Sequence, residues 1–384
     1  MHKVVFKIGV VSVRVLQDSF SDRGFLPELD PLAQFNPESE FSVLDTIGRD
    51  IPSRLLEPDF RRYAQSLTLP EWPNHLPLPE FLPELRLYFV RTSFLASAYI
   101  HQVGQPAVFT LPENLAVPLT KVAKLLAVPP ILNYAGYALY NWRRFDKNQG
   151  VVLGNIDTIQ NFVHLYDEHW FILVHIEIEA QAATLLSAVE IFHKEIRNTK
   201  ELNVDTLNTQ LINIADCLAQ QLRVLKRIPE RMSPQLYFKL FRPYIGFFEK
   251  IEYQGVKHKT MTYRGETGAQ SSVMPVLVQL LKIEHKQSVL VDHLREIRQY
   301  MPPSHRDFIT NTARLPDLKP LAAPELFDQV LELMAQFREV HFNWAVEYIN
   351  KHVTDPRGTG GTPYMYWLKQ LIEETRERKH IQNQ

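Results

Sequence analysis

The chain has 384 residues, 45% hydrophobic and 22% charged, a composition that builds one large or two ordinary globular domains without covalent staples. Its 42 Lys and Arg against 43 Asp and Glu leave a net charge of −1, so no long-range field draws nucleic acid or an anionic membrane, and a small-molecule partner is expected. A single cysteine, Cys217, excludes a disulfide framework and any multi-cysteine zinc or iron–sulfur site; it fits a reducing cytoplasm and reads as a buried, inert thiol.

Met1–Leu16 is apolar but broken by Lys3, Lys7 and Arg14, and it lacks the cleavage signature of a secretory leader. Met1–Val15 fits a strand or a helix. No uninterrupted run long enough to span a membrane is expected. Prolines at 70, 73, 77, 79 and 83 make 69–85 an extended connector, with Trp72, Leu76 and Phe81 to pin it down. Helical patterns follow over Leu85–Gln102 and, after Pro129 and Pro130, over Ile131–Arg144. The polar stretch Arg143–Asp157, with Gly150 and Gly154, suggests a boundary between a small N-terminal domain, 1–149, and a large all-helical domain, 150–384.

In that second part Trp170–Arg197 reads as one long helix, and Leu207, Leu211, Ile214, Leu218, Leu222 and Leu225 form a stripe along the next. Further helices are expected at Pro234–Phe241, Ser272–His285, Val289–Met301, Pro324–His352 and Tyr364–Arg378. Two glycine-bearing loops, Tyr263–Ser272 and Asp355–Pro363, interrupt them. The fold class is all-α, with a smaller, mixed but mainly helical N-terminal domain.

Several machines are absent. There is no phosphate loop, no GxGxxG, no HExxH, no CxxC and no CxxCH, so any haem is not thioether-linked. On the helix from Pro324, Phe327, Val330, Leu331, Met334 and Phe337 define an apolar face that continues onto His341, Trp344, Ala345 and Tyr348. A histidine in such a stripe needs a partner for its ring nitrogens, either iron or a protein acceptor. Arg338, one turn earlier, either neutralises an anionic group beside His341 or joins a surface salt bridge. His175 lies on an apolar face with Phe171 and Ile178, and Glu179 is one turn beyond. Arg242 precedes Pro243 and is bracketed by aromatics, which suits capture of a carboxylate at a helix end or a guanidinium that reaches solvent. Gly358-Thr359-Gly360-Gly361-Thr362 is either a mobile ligand loop or a plain linker.

Four strings carry more together than singly: RGETGAQSSVMP from Arg264, QYMPPSHRDFI from Gln299, FREVHFNWAVEYI from Phe337 and GTGGTPYMYWLK from Gly358. With GFLP at Gly24, PPILNYAGYALYNWRR from Pro129 and WFILVHIEIEA from Trp170, they resemble the indoleamine 2,3-dioxygenase family from about residue 24 to 375. The resemblance implies an all-α fold with a b-type haem and an enzyme that inserts dioxygen into an indole such as L-tryptophan. It implies His341 as haem ligand and Arg338 as the propionate-side arginine. Phe171 would pack over the indole, Arg242 would grip the substrate carboxylate with Tyr237 beside it, and Tyr137, Ile245 and Gly268 would form pocket walls. Thr359 would belong to a loop near the substrate ammonium, and His305 would be structural.

Two features depart from the family pattern. His175 stands where the animal enzymes carry a serine and resembles instead the distal histidine of tryptophan 2,3-dioxygenases, and Glu266-Thr267 stands in the glycine loop where small residues are common in the family. A soluble, cytoplasmic monomer or small homo-oligomer is expected. Rival expectations are a different indole as substrate, a haem-binding sensor or carrier without turnover, and a haem-free interaction module.

Overall fold

Helix forms almost everywhere the apolar spacing is strong, and the few strands form two hairpins and one short parallel pairing. The computed structural model describes residues 20–74, 76, 80–257, 260–286, 289–352 and 364–380, so Met1–Val15 and the loop carrying Thr359 lie outside the described residues. In chain order come α1 (Ser42–Arg54), α2 (Phe60–Ser66), α3 (Leu82–His101), β1 (Thr110–Leu111), α4 (Glu113–Leu125), β2 (Trp142–Arg144) and β3 (Ile156–Thr158). Then follow α5 (Tyr166–Gln181), α6 (Ala183–Thr199), α7 (Val204–Leu225), α8 (Pro234–Leu236), β4 (Phe248–Tyr253) and β5 (Thr260–Tyr263). The chain continues through α9 (Val273–Leu280), α10 (Val289–Arg298), α11 (Pro303–Thr312), α12 (Pro324–Tyr348) and α13 (Tyr364–Glu377). The fold is all-α in class.

Ile131–Arg144 is not the helix its leading prolines suggest. Asn133 Oδ1 accepts the Gly136 N–H at 3.0 Å and Gln270 Oε1 accepts the Tyr134 N–H at 2.8 Å, which leaves only a π-helical turn over Ala135–Leu139. The chain then enters β2, antiparallel to β3 with Arg143 opposite Asp157, so the glycine-bearing polar stretch is a hairpin. A second, three-stranded sheet runs β1-β4-β5; parallel β1–β4 pairing ties residues 110–111 to 252–253.

The expected long helix divides into α5 and α6 at Ala182. Gly24 lies against this junction with φ +67°, and a Cβ there would stand 2.1 Å from the Glu179 carbonyl oxygen. Only glycine tolerates both conditions. By length and composition the span Tyr166–Thr199 could cross a membrane, yet 67% of its most apolar window is buried inside the fold, as expected of a core helix.

Three apolar clusters hold the molecule. One joins α1–α4 to the π-turn, β4 and the inner face of α5, and Trp72 from the proline-rich connector stacks 5.3 Å from Phe41 in it. A second packs α6, α7, α9 and α11 around Phe327, Val330, Leu331 and Met334 of α12. The third and smallest gathers Trp170, Val174, Ile178, Leu225, Tyr237, Phe241 and Tyr348. The cavity opens beside this third cluster.

Candidate active site

The apolar stripe of α12 serves two cores in succession, and His341 falls at the change. Phe327 to Met334 enter the second cluster, while Phe337, Trp344 and Tyr348 belong to the third. His341 turns into a cavity with two adjoining lobes of about 430 and 180 Å³, and it borders both. The larger volume lies within the range of pockets that enclose a cofactor or drug-sized ligand.

The His341 ring is surrounded by protein on its other sides but carries exposed surface, because its open side is the cavity. Among the described residues it has no hydrogen-bond partner. Burial, and to a lesser extent His175, pulls its pKa down to about 4, so the imidazole is neutral at pH 7 and keeps a lone pair for a metal. No group of three or more His, Cys, Asp or Glu among the described residues could hold a bare metal ion. A metal bound at His341 must therefore bring most of its own ligands.

The rim of the larger lobe favours an anion. Arg338 is 8% exposed rather than a surface residue, and its Nη1 donates to the Leu371 carbonyl at 2.6 Å and to Thr375 Oγ1 on α13. Burial lowers its pKa to about 10, which still leaves it charged. Arg295, Arg298 and His285 border the same lobe and not the smaller one. His285 is tied to Glu374 at 2.6 Å, whereas Arg298 has no ion pair among the described residues. An apolar body with a cationic rim fits a flat apolar cofactor with carboxylates on one edge, which is what haem is. Of these groups the sequence pointed only to Arg338; Arg298 and His285 lie on or before α10 with no pattern to single them out.

Across the cavity α5 presents His175. Its Nδ1 lies 2.8 Å from the Phe171 carbonyl oxygen, and burial lowers its pKa. Its Nε2 faces Gly268, where an added Cβ would come within 4.0 Å. Behind it, Tyr134 and Ser271 donate to Glu179 Oε1 at 2.9 and 2.5 Å, and burial raises that carboxyl to about 7.

The smaller lobe is aromatic. Phe171 and Tyr237 line it with ring centroids 5.5 Å apart, together with Ile245, Gly268, Trp344 and Tyr348. Two expected site residues stand outside the lining. Tyr137 backs Phe171 at 6.3 Å and points its hydroxyl at Glu168, 3.4 Å away. Arg242 sits where the π-turn Tyr237–Phe241 passes into the 3-10 turn Arg242–Ile245, with its guanidinium 5.4 Å from the Phe238 ring centroid. Phe238 in turn stacks on His352, the last described residue before the glycine loop. His305 does not line the cavity; its ring stacks 4.2 Å from Phe25 and its Nδ1 lies 3.2 Å from Ser272 Oγ.

The family model for indoleamine 2,3-dioxygenase matches residues 18–353. The chain belongs to the indoleamine 2,3-dioxygenase family. It is 28% identical to human "Indoleamine 2,3-dioxygenase 2" over 77% of this chain and 79% of the relative. It is 25% identical to the "Indoleamine 2,3-dioxygenase" of Saccharomyces cerevisiae over 94% of this chain and 92% of that one. It is also 25% identical to a "6-hydroxytryptophan 2,3-dioxygenase" of Fusarium equiseti, over 92% and 95% of the two chains. As a member of this haem-dependent family, the chain is a dioxygenase acting at an indole 2,3-bond.

Proposed function

We propose that the protein holds haem b on His341 and inserts both atoms of dioxygen across the C2–C3 bond of L-tryptophan or a ring-substituted relative, releasing an N-formylkynurenine-type product. The observation that carries this is a neutral histidine with no described protein partner, facing an apolar cavity with an arginine rim. Haem, when bound, supplies the activation of dioxygen.

The chain supplies binding, orientation and dryness. Arg338 and Arg298 neutralise the carboxylate edge of the cofactor. Phe171 and Tyr237 receive the indole in the smaller lobe, and Ile245 and Trp344 keep water from the reacting bond. His175 Nε2, left without its proton, accepts the indole N–H and sets the ring in plane. Arg242 takes the substrate carboxylate by a charge-assisted pair, and Thr359, outside the described residues, keeps the role near the substrate ammonium that the family resemblance implies. In this reading 1–149 is a smaller domain covering the pocket and 150–384 carries the haem. The enzyme works in the cytoplasm as a monomer or small homo-oligomer, with Cys217 a free buried thiol.

A second reading, a haem-binding sensor or carrier, draws on one observation: His175 and His341 border the same cavity with pKa values lowered by burial, so both would be able to hold the cofactor's iron. Oxygen uptake separates the two. An enzyme consumes one dioxygen per tryptophan lost, with no nicotinamide cofactor; a sensor shows a haem spectrum and leaves tryptophan intact.

A further inference from the structure

Glu266 lines the cavity wall, and neither the fold nor the chemistry above employs it. Gly265 brings it there: a Cβ on Gly265 would stand 2.3 Å from the Ile245 carbonyl oxygen, so the loop lies pressed on the backbone of Ile245–Gly246. Gln270 Nε2 fixes the same loop by donating to the Gly265 carbonyl at 2.9 Å. Glu266 then lines the smaller lobe with only 2% of its surface exposed.

Its carboxyl has no hydrogen bond or ion pair among the described residues. The other buried acids nearby each accept hydrogen bonds from the fold, although Glu179 Oε2 accepts none among the described residues. Glu168 accepts the N–H groups of Phe162 and Val163, Glu177 accepts that of Leu153, and Glu179 holds Tyr134 and Ser271. Desolvation is the one cause acting on Glu266 among the described residues and raises its pKa to about 8, with no described cation near to offset it. An enclosed carboxyl without a partner is costly to keep. A group on the ligand can supply that partner.

The position of Glu266 says which part of the ligand. Tyr134 and Tyr137, both fully enclosed, feel its charge, and Tyr137 stands behind Phe171. Ile245 beside it is buried, whereas Arg242, one turn earlier, is half-buried and leads through Phe238 to His352. Glu266 marks the inner end of the lobe and Arg242 the outer. An indole amino acid held at Arg242 by its carboxylate directs the benzo edge of its ring inward. A neutral carboxylic acid donates one hydrogen bond and accepts another, as a hydroxyl does.

We propose that Glu266 is a specificity-determining residue that selects indoles bearing a hydroxyl on the benzo ring. The inference rests on the proposed function, in that it takes the smaller lobe as the indole site. A site built around a buried hydrogen-bonding group discriminates against a ligand that leaves that group unpaired.

The test compares the haem-loaded wild type with Glu266→Leu, which keeps the volume but not the polarity, and Glu266→Gln, which keeps a donor and an acceptor. Steady-state kcat/KM and equilibrium binding, read from the ligand-induced change in haem absorption, are measured for L-tryptophan and for its 5-, 6- and 7-hydroxy derivatives. The wild type favours at least one hydroxytryptophan over L-tryptophan by about tenfold or more, a difference of roughly 1.4 kcal/mol. Glu266→Leu brings that ratio close to unity, and Glu266→Gln retains most of it. A ratio unchanged in Glu266→Leu overturns the proposal. So does an equal loss for all four compounds, which would place the substrate ammonium at Glu266 instead. If the wild type turns over none of them, the dioxygenase reading fails, and the binding ratios still decide the role of Glu266.

Discussion

The Nδ1–H of His175 donates to the carbonyl oxygen of Phe171, 2.8 Å away and one helical turn back. A carbonyl only accepts, so the bond fixes the tautomer and leaves Nε2 as a bare acceptor toward the cavity. A serine in this place has no such obligation. Replacing His175 with Ala therefore removes one neutral hydrogen bond to the indole N–H, worth about 1 kcal/mol, and lowers kcat/KM for L-tryptophan roughly fivefold. With 1-methyltryptophan, which lacks that N–H, wild type and variant bind alike. Equal kcat/KM for L-tryptophan in the two proteins contradicts the role.

His341→Ala leaves the cavity without a metal ligand while its apolar walls and arginine rim remain. The variant folds but binds haem weakly and substoichiometrically, as a titration followed by the haem absorption band shows. Stoichiometric haem with an unaltered spectrum assigns the iron to another residue.

Arg242→Ala removes a charge-assisted contact worth roughly 1.5–3 kcal/mol, which corresponds to a rise in KM for L-tryptophan of about ten- to a hundredfold. Tryptamine has no carboxylate, so its KM changes little. A parallel change for both compounds points instead to collapse of the Phe238–Arg242 stack.

Two buried histidines outside the cavity lining contribute to the acid limit of stability. Burial holds His101 at about 4 and His305 at about 3, both below the unfolded value near 6.5. Between those values and 6.5 the unfolded chain binds protons that the folded chain refuses. Their contribution is complete above pH 6.5 and is lost progressively as pH falls toward 4. His305→Gln flattens that part of a Tm-against-pH profile relative to wild type, and an identical profile contradicts the assignment.

Glu266 acts with the opposite sign. Its folded pKa, about 8, lies above the unfolded value near 4.5, so the folded chain retains a proton the unfolded one releases. Stability falls as pH rises from 4.5 to about 8. Glu266→Gln gains Tm relative to wild type at pH 8 and not at pH 4.5; the reverse order contradicts a buried, unpaired carboxyl.

Much of this site is legible in the sequence because α12 and α5 obey helical periodicity. The series from Phe327 to Tyr348 places His341 on an inward face, and Pro243 marks the helical change at which Arg242 stands. The parts that are not legible depend on distant segments. Asn133 and Gln270 divert Ile131–Arg144 from helix through contacts no local pattern reveals. β4 gains its partners from residues 110–111 and 260–263. Pro118 lies inside α4 and obscures it in the sequence. Arg298 looks like any charged residue on an amphipathic helix, and Glu266 like part of a flexible loop, until packing encloses one side of each.

The most direct test of the central claim uses isotopically labelled dioxygen. The haem-loaded protein is reduced without oxygen, supplied with L-tryptophan or a hydroxytryptophan, exposed to the labelled gas, and its product weighed by mass spectrometry. The account predicts an N-formylkynurenine-type product carrying two labelled oxygen atoms. Unchanged substrate, or a product with one labelled atom and one from water, contradicts it.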